Sequence, residues 1–391
     1  MTRIFRAAFA AFLMAAVLAA GFGAAADTVT NAQADPAMGA ESADPVERIL
    51  QNMTLEEKVG QMFFATCPSK VSSAVKAAQN YQLGGYVLYA YHFKNETPDS
   101  VRENIQKYQD ASSVPMLIAV DEEGGTVTRV SSFKAFRSSR FQSPMKLYQK
   151  GGMDLIRSDA REKAELLLSL GINVNLAPIA DVPEKKGDFI YSRSMGTDPV
   201  LTSEFITAVV EESNKAGIGL MLKHFPGYGN NKDTHAGEVI DKRPLETFET
   251  RDFLPFEAGA KAGVGAVMVS HNIVECFDAQ YPASLTPLTL QALRALGFDG
   301  VAATDGLDMK AVKKYFSTSQ AVVMAVQAGN DMMMMSKYKE GIEGILAAVA
   351  DGRILESRID ESVRRILKWK QALGLIPAAD GAETGAGESS N

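Results

Sequence analysis

The stretch 223–235, KHFPGYGNNKDTH, gathers two lysines, two of the chain's four histidines and an aspartate. It follows the apolar run 218–222, which reads as a buried strand, so these polar groups fall in a strand-end loop. Asp233 and His235 lie two apart and point the same way if the loop is extended. A carboxylate beside an imidazole fixes its tautomer and raises its pKa, which makes a general acid/base. The competing reading is a polar surface loop whose glycines only make turns. The catalytic reading is the stronger one, because α/β enzymes keep their sites in such loops.

Other polar residues also end apolar runs: Asp121, Asp181, His224, His271 and Asp305, together with Lys223. Any one of them alone is explained as a helix cap or a buried ion pair. Six at the ends of parallel strands would share one rim, where carboxylates, imidazoles and a lysine perturb one another.

The elements that must position them alternate along the chain. Short apolar runs at 59–66, 84–90, 116–120, 172–179, 218–222, 266–270, 300–304 and 331–335 read as eight strands. Between and after them, 98–112, 158–170, 202–216, 245–262, 286–296, 319–328, 341–350 and 356–370 carry helical spacing. The pattern predicts an α/β fold, a single (β/α)8 TIM barrel. An open doubly wound sheet would want a glycine-rich phosphate turn after its first strand, and VGQMFFATCPSK is not one. The methionines of 331–335, DMMMM, are read as core filler rather than as metal ligands.

The composition is that of a globular protein: 391 residues, 46% hydrophobic, 22% charged, net charge -7. No Lys/Arg-rich block appears, so no nucleic-acid partner is expected. Residues 1–26 read as a secretory signal peptide, with Arg3 and Arg6 before an apolar run and Ala24, Ala25 and Ala26 at a cleavage site. An uncleaved anchor is the alternative. Residues 27–45 read as a linker, 46–375 as the barrel domain and 376–391 as a disordered tail. No later stretch is long and apolar enough to cross a bilayer, so no stable membrane insertion is expected after signal removal. The expectation is an exported monomer, periplasmic or extracellular. Export would permit a disulfide between Cys67 and Cys276, or leave two isolated thiols.

Several segments carry a family resemblance. KHFPGYG followed by DTH, with VDEEGG before them and TDGLDM after, resembles the family 3 glycoside hydrolases. More narrowly it resembles their NagZ-type β-N-acetylglucosaminidases. The resemblance runs over 46–375 and includes LGGYVLYA, NVNLAPIADV, YSRSMG and VMVSHNIV. It implies that Asp305 is the nucleophile, His235 the acid/base and Asp233 its partner. It implies that Asp121, Arg129, Arg193, Lys223 and His224 bind the sugar, with His271 and Met309 near that pocket. It implies no metal and no cofactor, and a small carbohydrate as partner: a GlcNAc-containing oligosaccharide or a muropeptide, from peptidoglycan or chitin. The chain departs from the family pattern at Tyr228, where a histidine is usual, at Thr126, where an arginine is common, and at Met195, where an aromatic is. These departures bear on fine substrate preference.

The chemistry of the residues agrees. Glycosidic cleavage passes through an oxocarbenium-like state that a carboxylate stabilises and then traps. A histidine held by an aspartate protonates the leaving oxygen and later deprotonates water. A phosphorylase on the same site stays open, because a neutral histidine base also admits phosphate. A metal-dependent hydrolase using His224, His271 and Asp305 would want a His-x-His pair at the first strand. The remaining histidine, His92, stands alone after the second strand. A non-catalytic carbohydrate-binding protein would not need the nucleophile and dyad.

Overall fold

The computed structural model describes residues 44–378. The expected export signal, the linker up to residue 43 and the tail from residue 379 lie outside the described residues.

Eight strands pair in parallel: β1 (Phe63–Thr66), β2 (Gly85–Leu88), β3 (Leu117–Val120), β4 (Val174–Asn175), β5 (Gly219–Phe225), then β7 (Ala266–Val269), β9 (Val301–Thr304) and β10 (Met333–Met335). A separate small sheet pairs β6 (Ile240–Asp241) with β8 (Ile273–Val274), both in loops of the larger one. The large sheet runs β10-β1-β2-β3-β4-β5-β7-β9. It closes through a bridge between Ala303 and Met332, with Thr304 N–H donating to Met332 O at 3.0 Å and Leu307 N–H to Met334 O at 2.9 Å. The result is a (β/α)8 barrel. Helices flank it, among them Pro98–Asp110, Pro199–Ala216, Thr318–Ala328 and Glu356–Ala372. Strands covered on both faces read as unbroken apolar runs, which is why the eight segments were legible. The large strands are buried along their length apart from Thr66.

Four segments differ from expectation. The run 59–66 is not one strand: Val59, Gly60 and Gln61 end the helix Leu55–Gln61, and only Phe63–Thr66 is extended. The cause is a capping box. Thr54 Oγ1 accepts from Glu57 N–H, and Glu57 accepts from Thr54 N–H, which starts a helix that overrides the apolar run. The helices Pro45–Asn52 and Val71–Tyr81 were not anticipated; the first is capped by Asp44 and so begins inside the expected linker. The run 172–179 contributes only two ladder residues. There Asn173 and Asn175 add side-chain amide bonds to the main-chain ones. Asn173 accepts from Ile118 N–H and donates to Met116 O, and Asn175 does the same with both main-chain groups of Glu122. This stitching holds the chain that follows β3 against β4. At the far end of the domain, Ile376 is still buried in the core.

Candidate active site

The carboxyl ends of the strands open into a cavity of about 1190 Å³. Nine of the ten candidate residues line it: Asp121, Arg129, Arg193, Lys223, His224, Asp233, His235, Asp305 and Met309. His271 does not; it is buried behind the cavity wall.

Lys223 organises one side. It is 2% exposed, and its Nζ lies 2.6 Å from Asp121 Oδ1 and 2.7 Å from Glu123 Oε1. Glu123 also takes two hydrogen bonds from Arg193, at 2.7 and 2.9 Å. Arg129 reaches the other Asp121 oxygen at 3.4 Å. Burial alone would raise the Glu123 pKa, but the charges of Lys223 and Arg193 and their hydrogen bonds outweigh it and push the carboxyl down to about 2. Burial would lower the Lys223 pKa, yet Asp121 and Glu123 hold it above the ordinary lysine value. Neighbouring Glu122 turns inward instead: it accepts from the N–H groups of Arg129 and Val130 at 2.9 and 2.7 Å and from the Ser131 hydroxyl, folding the loop so that Arg129 meets Asp121. Neither glutamate was singled out from sequence. The only signal was the run of three acids in DEEGG, which does not say which of them faces the site.

Asp305 follows β9 and is nearly buried. Its main-chain N–H donates to Val269 O at 2.9 Å, and Gly306 N–H donates to its Oδ1 at 2.7 Å. Burial pushes its pKa upward, but His271, His224, the Gly306 N–H and His235 together hold it below the usual carboxylate value. His271 is lowered by burial, so near neutral pH it is uncharged. Its partners assign the tautomer: Nε2–H donates to Gly306 O at 3.0 Å, and Nδ1 accepts from the Ser284 hydroxyl at 2.7 Å. His271 therefore props Gly306, whose N–H holds Asp305, and has no ring nitrogen left for a sugar. The expectation that it lies near the pocket is refined to a supporting place behind it.

His224 and the loop after β5 are ordered by Asp181. One Asp181 oxygen accepts from His224 N–H at 3.0 Å and meets Nδ1 at 2.8 Å; the other accepts from Tyr228 N–H at 2.7 Å. The Tyr228 ring stands edge-on to His224 with centroids 5.0 Å apart, and its hydroxyl pairs with Thr234 at 2.6 Å. Further along, His235 Nδ1 lies 2.8 Å from Asp233 Oδ1, which also accepts the His235 main-chain N–H at 2.9 Å. The His235 side chain is 66% exposed at the cavity mouth. With Nδ1–H on the aspartate, Nε2 is the nitrogen left for proton exchange.

The ring nitrogens of His224 and His271 nearest to protein groups are thus committed to Asp181, Ser284 and Gly306. Among the described residues, no three His, Cys, Asp or Glu side chains form a metal-ligating group. Cys67 and Cys276 are free thiols.

This fold and this constellation define a class. The chain belongs to glycosyl hydrolase family 3: residues 54–369 match the family's N-terminal domain. It is 31% identical over 282 residues to the beta-hexosaminidase of Xylella fastidiosa (strain 9a5c), covering 70% of this chain and 82% of that one. It is 28% identical over 337 residues to beta-hexosaminidase A of Pseudoalteromonas piscicida, covering 79% of this chain. Among solved structures, a family 3 beta-N-acetylglucosaminidase from Paenibacillus sp. str. FPU-7 matches with a TM-score of 0.76 at 30% identity, over 87% of this chain. The chain spans 56% of the Pseudoalteromonas protein and 66% of the Paenibacillus one.

Proposed function

We propose that the chain is an exported, retaining exo-β-N-acetylglucosaminidase that removes terminal β-linked GlcNAc from peptidoglycan fragments or chitooligosaccharides. The observation that carries this reading is the position of Asp305. It is a buried carboxylate, ionised below the usual range, in a cavity shared with the Asp121–Lys223–Glu123–Arg193 cluster and the Asp233–His235 dyad. The cluster presents fixed charges suited to sugar hydroxyls and the acetamide carbonyl, and so orients the ring. With Gly306 N–H on Oδ1, Asp305 Oδ2 attacks the anomeric carbon. The glycosidic bond breaks as His235 Nε2 delivers its proton to the leaving oxygen, and a glycosyl ester forms on Asp305. His235, now neutral, takes a proton from water; the resulting hydroxide equivalent attacks the anomeric carbon and frees both the sugar and the Asp305 carboxylate. Asp233 holds the imidazole tautomer in both steps. Names borne by the family relatives support the sugar specificity, and one relative is described as a secreted glycosyl hydrolase.

Turnover of a chromogenic N-acetyl-β-glucosaminide tests the activity, and NMR of the first-formed product tests retention. Running the same assay with and without inorganic phosphate, and looking for a sugar 1-phosphate, separates the hydrolase from a phosphorylase. No turnover of the glycoside, or an inverted first product, overturns the proposal.

A further inference from the structure

The loop that carries Asp233 and His235 leaves β5 at Pro226 and ends on β6. One side chain fastens both of its ends. Arg243, two residues past β6, has its side chain only 9% exposed. At the start of the loop its Nη2 donates to Gly227 O at 2.9 Å. At the end of the loop it grips Asp241, with Nε 3.0 Å from each carboxylate oxygen and Nη2 2.7 Å from Oδ2. Its third nitrogen, Nη1, donates to Asp252 at 2.9 Å, and its guanidinium lies 4.5 Å from the Phe248 ring centroid. Asp252 and Phe248 belong to a π-helical turn, Phe248–Asp252, that leads into the helix Phe253–Lys261 and so ties the grip to the barrel wall.

The loop is shaped to admit this side chain. A Cβ on Gly229, whose φ is +53°, would sit 2.0 Å from Arg243 Nη1. A Cβ on Gly227, with φ +122°, would sit 2.6 Å from Asp252 Oδ1. Only glycine gives both the backbone conformation and the room. A second strut crosses the same neck: Asn231 Nδ2 lies 2.9 Å from Tyr228 O and 2.7 Å from Asp241 Oδ2. Beyond this neck, His235 is exposed and takes its orientation from Asp233 on the same loop. Apart from the Tyr228–Thr234 bond, which ties the residue between Asp233 and His235 back to the start of the loop, the dyad takes its position from the feet of its loop.

We infer that Arg243 is a positioning residue for the acid/base. By clamping Gly227 and Asp241 it sets the reach of His235 over Asp305, while touching neither the sugar pocket nor the dyad. The inference rests on the reading of His235 as the proton donor. A fork-shaped guanidinium is required, because one group must serve a carbonyl and two carboxylates at fixed angles; a lysine ammonium keeps the charge and loses the fork. Misplacing a catalytic group by about 1 Å costs roughly 10²-fold in rate.

The experiment compares Arg243→Lys and Asn231→Ala with the unaltered full chain on two substrates, a GlcNAc disaccharide and a nitrophenyl N-acetyl-β-glucosaminide. The leaving group needs a proton in the first and little help in the second. In Arg243→Lys, kcat on the disaccharide is expected to fall by about 10²-fold. Pre-steady-state release of nitrophenol and fluorosugar labelling of Asp305 are expected to stay within about twofold, since neither depends on proton donation. Asn231→Ala is expected to show the same selectivity to a smaller degree. Amide hydrogen exchange is expected to quicken in residues 229–239 in both variants and to stay unchanged in β1 to β4. Equal losses on the two substrates, or no loss, in a variant with unaltered thermal unfolding overturn the inference. If Arg243→Lys does not fold, Asn231→Ala decides alone: a disaccharide-selective loss supports the inference and its absence overturns it. A wild-type chain inactive on both substrates is a different result and overturns the proposed function itself.

Discussion

Asp308 accepts the hydroxyl of Ser336 at 2.6 Å and its main-chain N–H as well, binding the segment after β9 to the end of β10. Its other oxygen pairs with Lys313 at 3.2 Å. Both residues line the cavity, but the oxygens of Asp308 are committed to Ser336 and Lys313, while Asp305 has its Oδ1 on Gly306 N–H. A mechanism-based fluorosugar is expected to label Asp305. Asp308→Asn is expected to keep that labelling site and lower the unfolding temperature. Peptide mapping that finds the sugar on Asp308 would sink the assignment.

Lys223 is expected to be costly to remove on two counts. It is buried between Asp121 and Glu123, so Lys223→Met leaves two carboxylates without their shared cation. Breaking a buried pair from one side costs about 3–5 kcal/mol. Denaturant unfolding should show a loss of that order, and kcat/KM should fall in whatever fraction remains folded. A variant of unchanged stability would mean that the lysine is held for the ligand alone.

His235→Ala separates the chemistry of the two steps. Acid/base assistance is worth about 10² to 10⁴ in rate. The variant is expected to lose that much on a disaccharide and to keep most of its glycosylation rate on a nitrophenyl glycoside, where deglycosylation becomes limiting. Added azide should then speed turnover by attacking the glycosyl ester without needing a base. Asp233→Ala should give a milder loss with a displaced pH profile. Equal losses on both substrates and no azide effect would place the proton donor elsewhere.

Lys370 predicts a pH dependence of stability. It is fully buried, and its ammonium meets Gln61 Oε1 at 2.6 Å, with no carboxylate paired to it among the described residues. Burial pushes its pKa from 10.5 down to about 7. Between those values the unfolded chain holds one more proton than the folded one, so stability rises with pH, by up to about 1.4 kcal/mol per pH unit. Below pH 7 the penalty is complete and constant. Lys370→Met should lack this slope, so its stability relative to wild type should be most favourable near pH 7 and worsen steadily toward pH 10. The unpaired Gln61 oxygen it leaves behind shifts the whole curve and not the slope. Parallel curves for the two proteins between pH 7 and 10 would contradict the assignment.

The barrel was legible because buried parallel strands leave apolar runs, and because Asp121, Lys223, Asp305 and their like stand where those runs stop. Most of what was not legible depended on contacts far apart in sequence. Glu123 looks like its neighbour Glu122 on paper, yet one meets Lys223, a hundred residues on, while the other folds its own loop. His271 ends a strand as His224 does, but Ser284 and Gly306 claim its ring from behind the cavity. Arg243 sits in a stretch with no motif, and only the meeting of Gly227, Asp241 and Asp252 gives it a place. The first strand was misplaced because local capping at Thr54 and Glu57 outweighed apolar composition.

The barrel closes between β9 and β10 by a bridge at Ala303 and Met332 and by main-chain bonds from Met332 to Ala302, from Thr304 to Met332 and from Leu307 to Met334, and Asp305 and Gly306 lie inside that span. Asp305 N–H is bonded to Val269 on one side, and the chain two residues on is bonded to Met334 on the other, so one stretch of chain both closes the barrel and carries this carboxylate. A change that loosens this closure would therefore reach the site and the fold together.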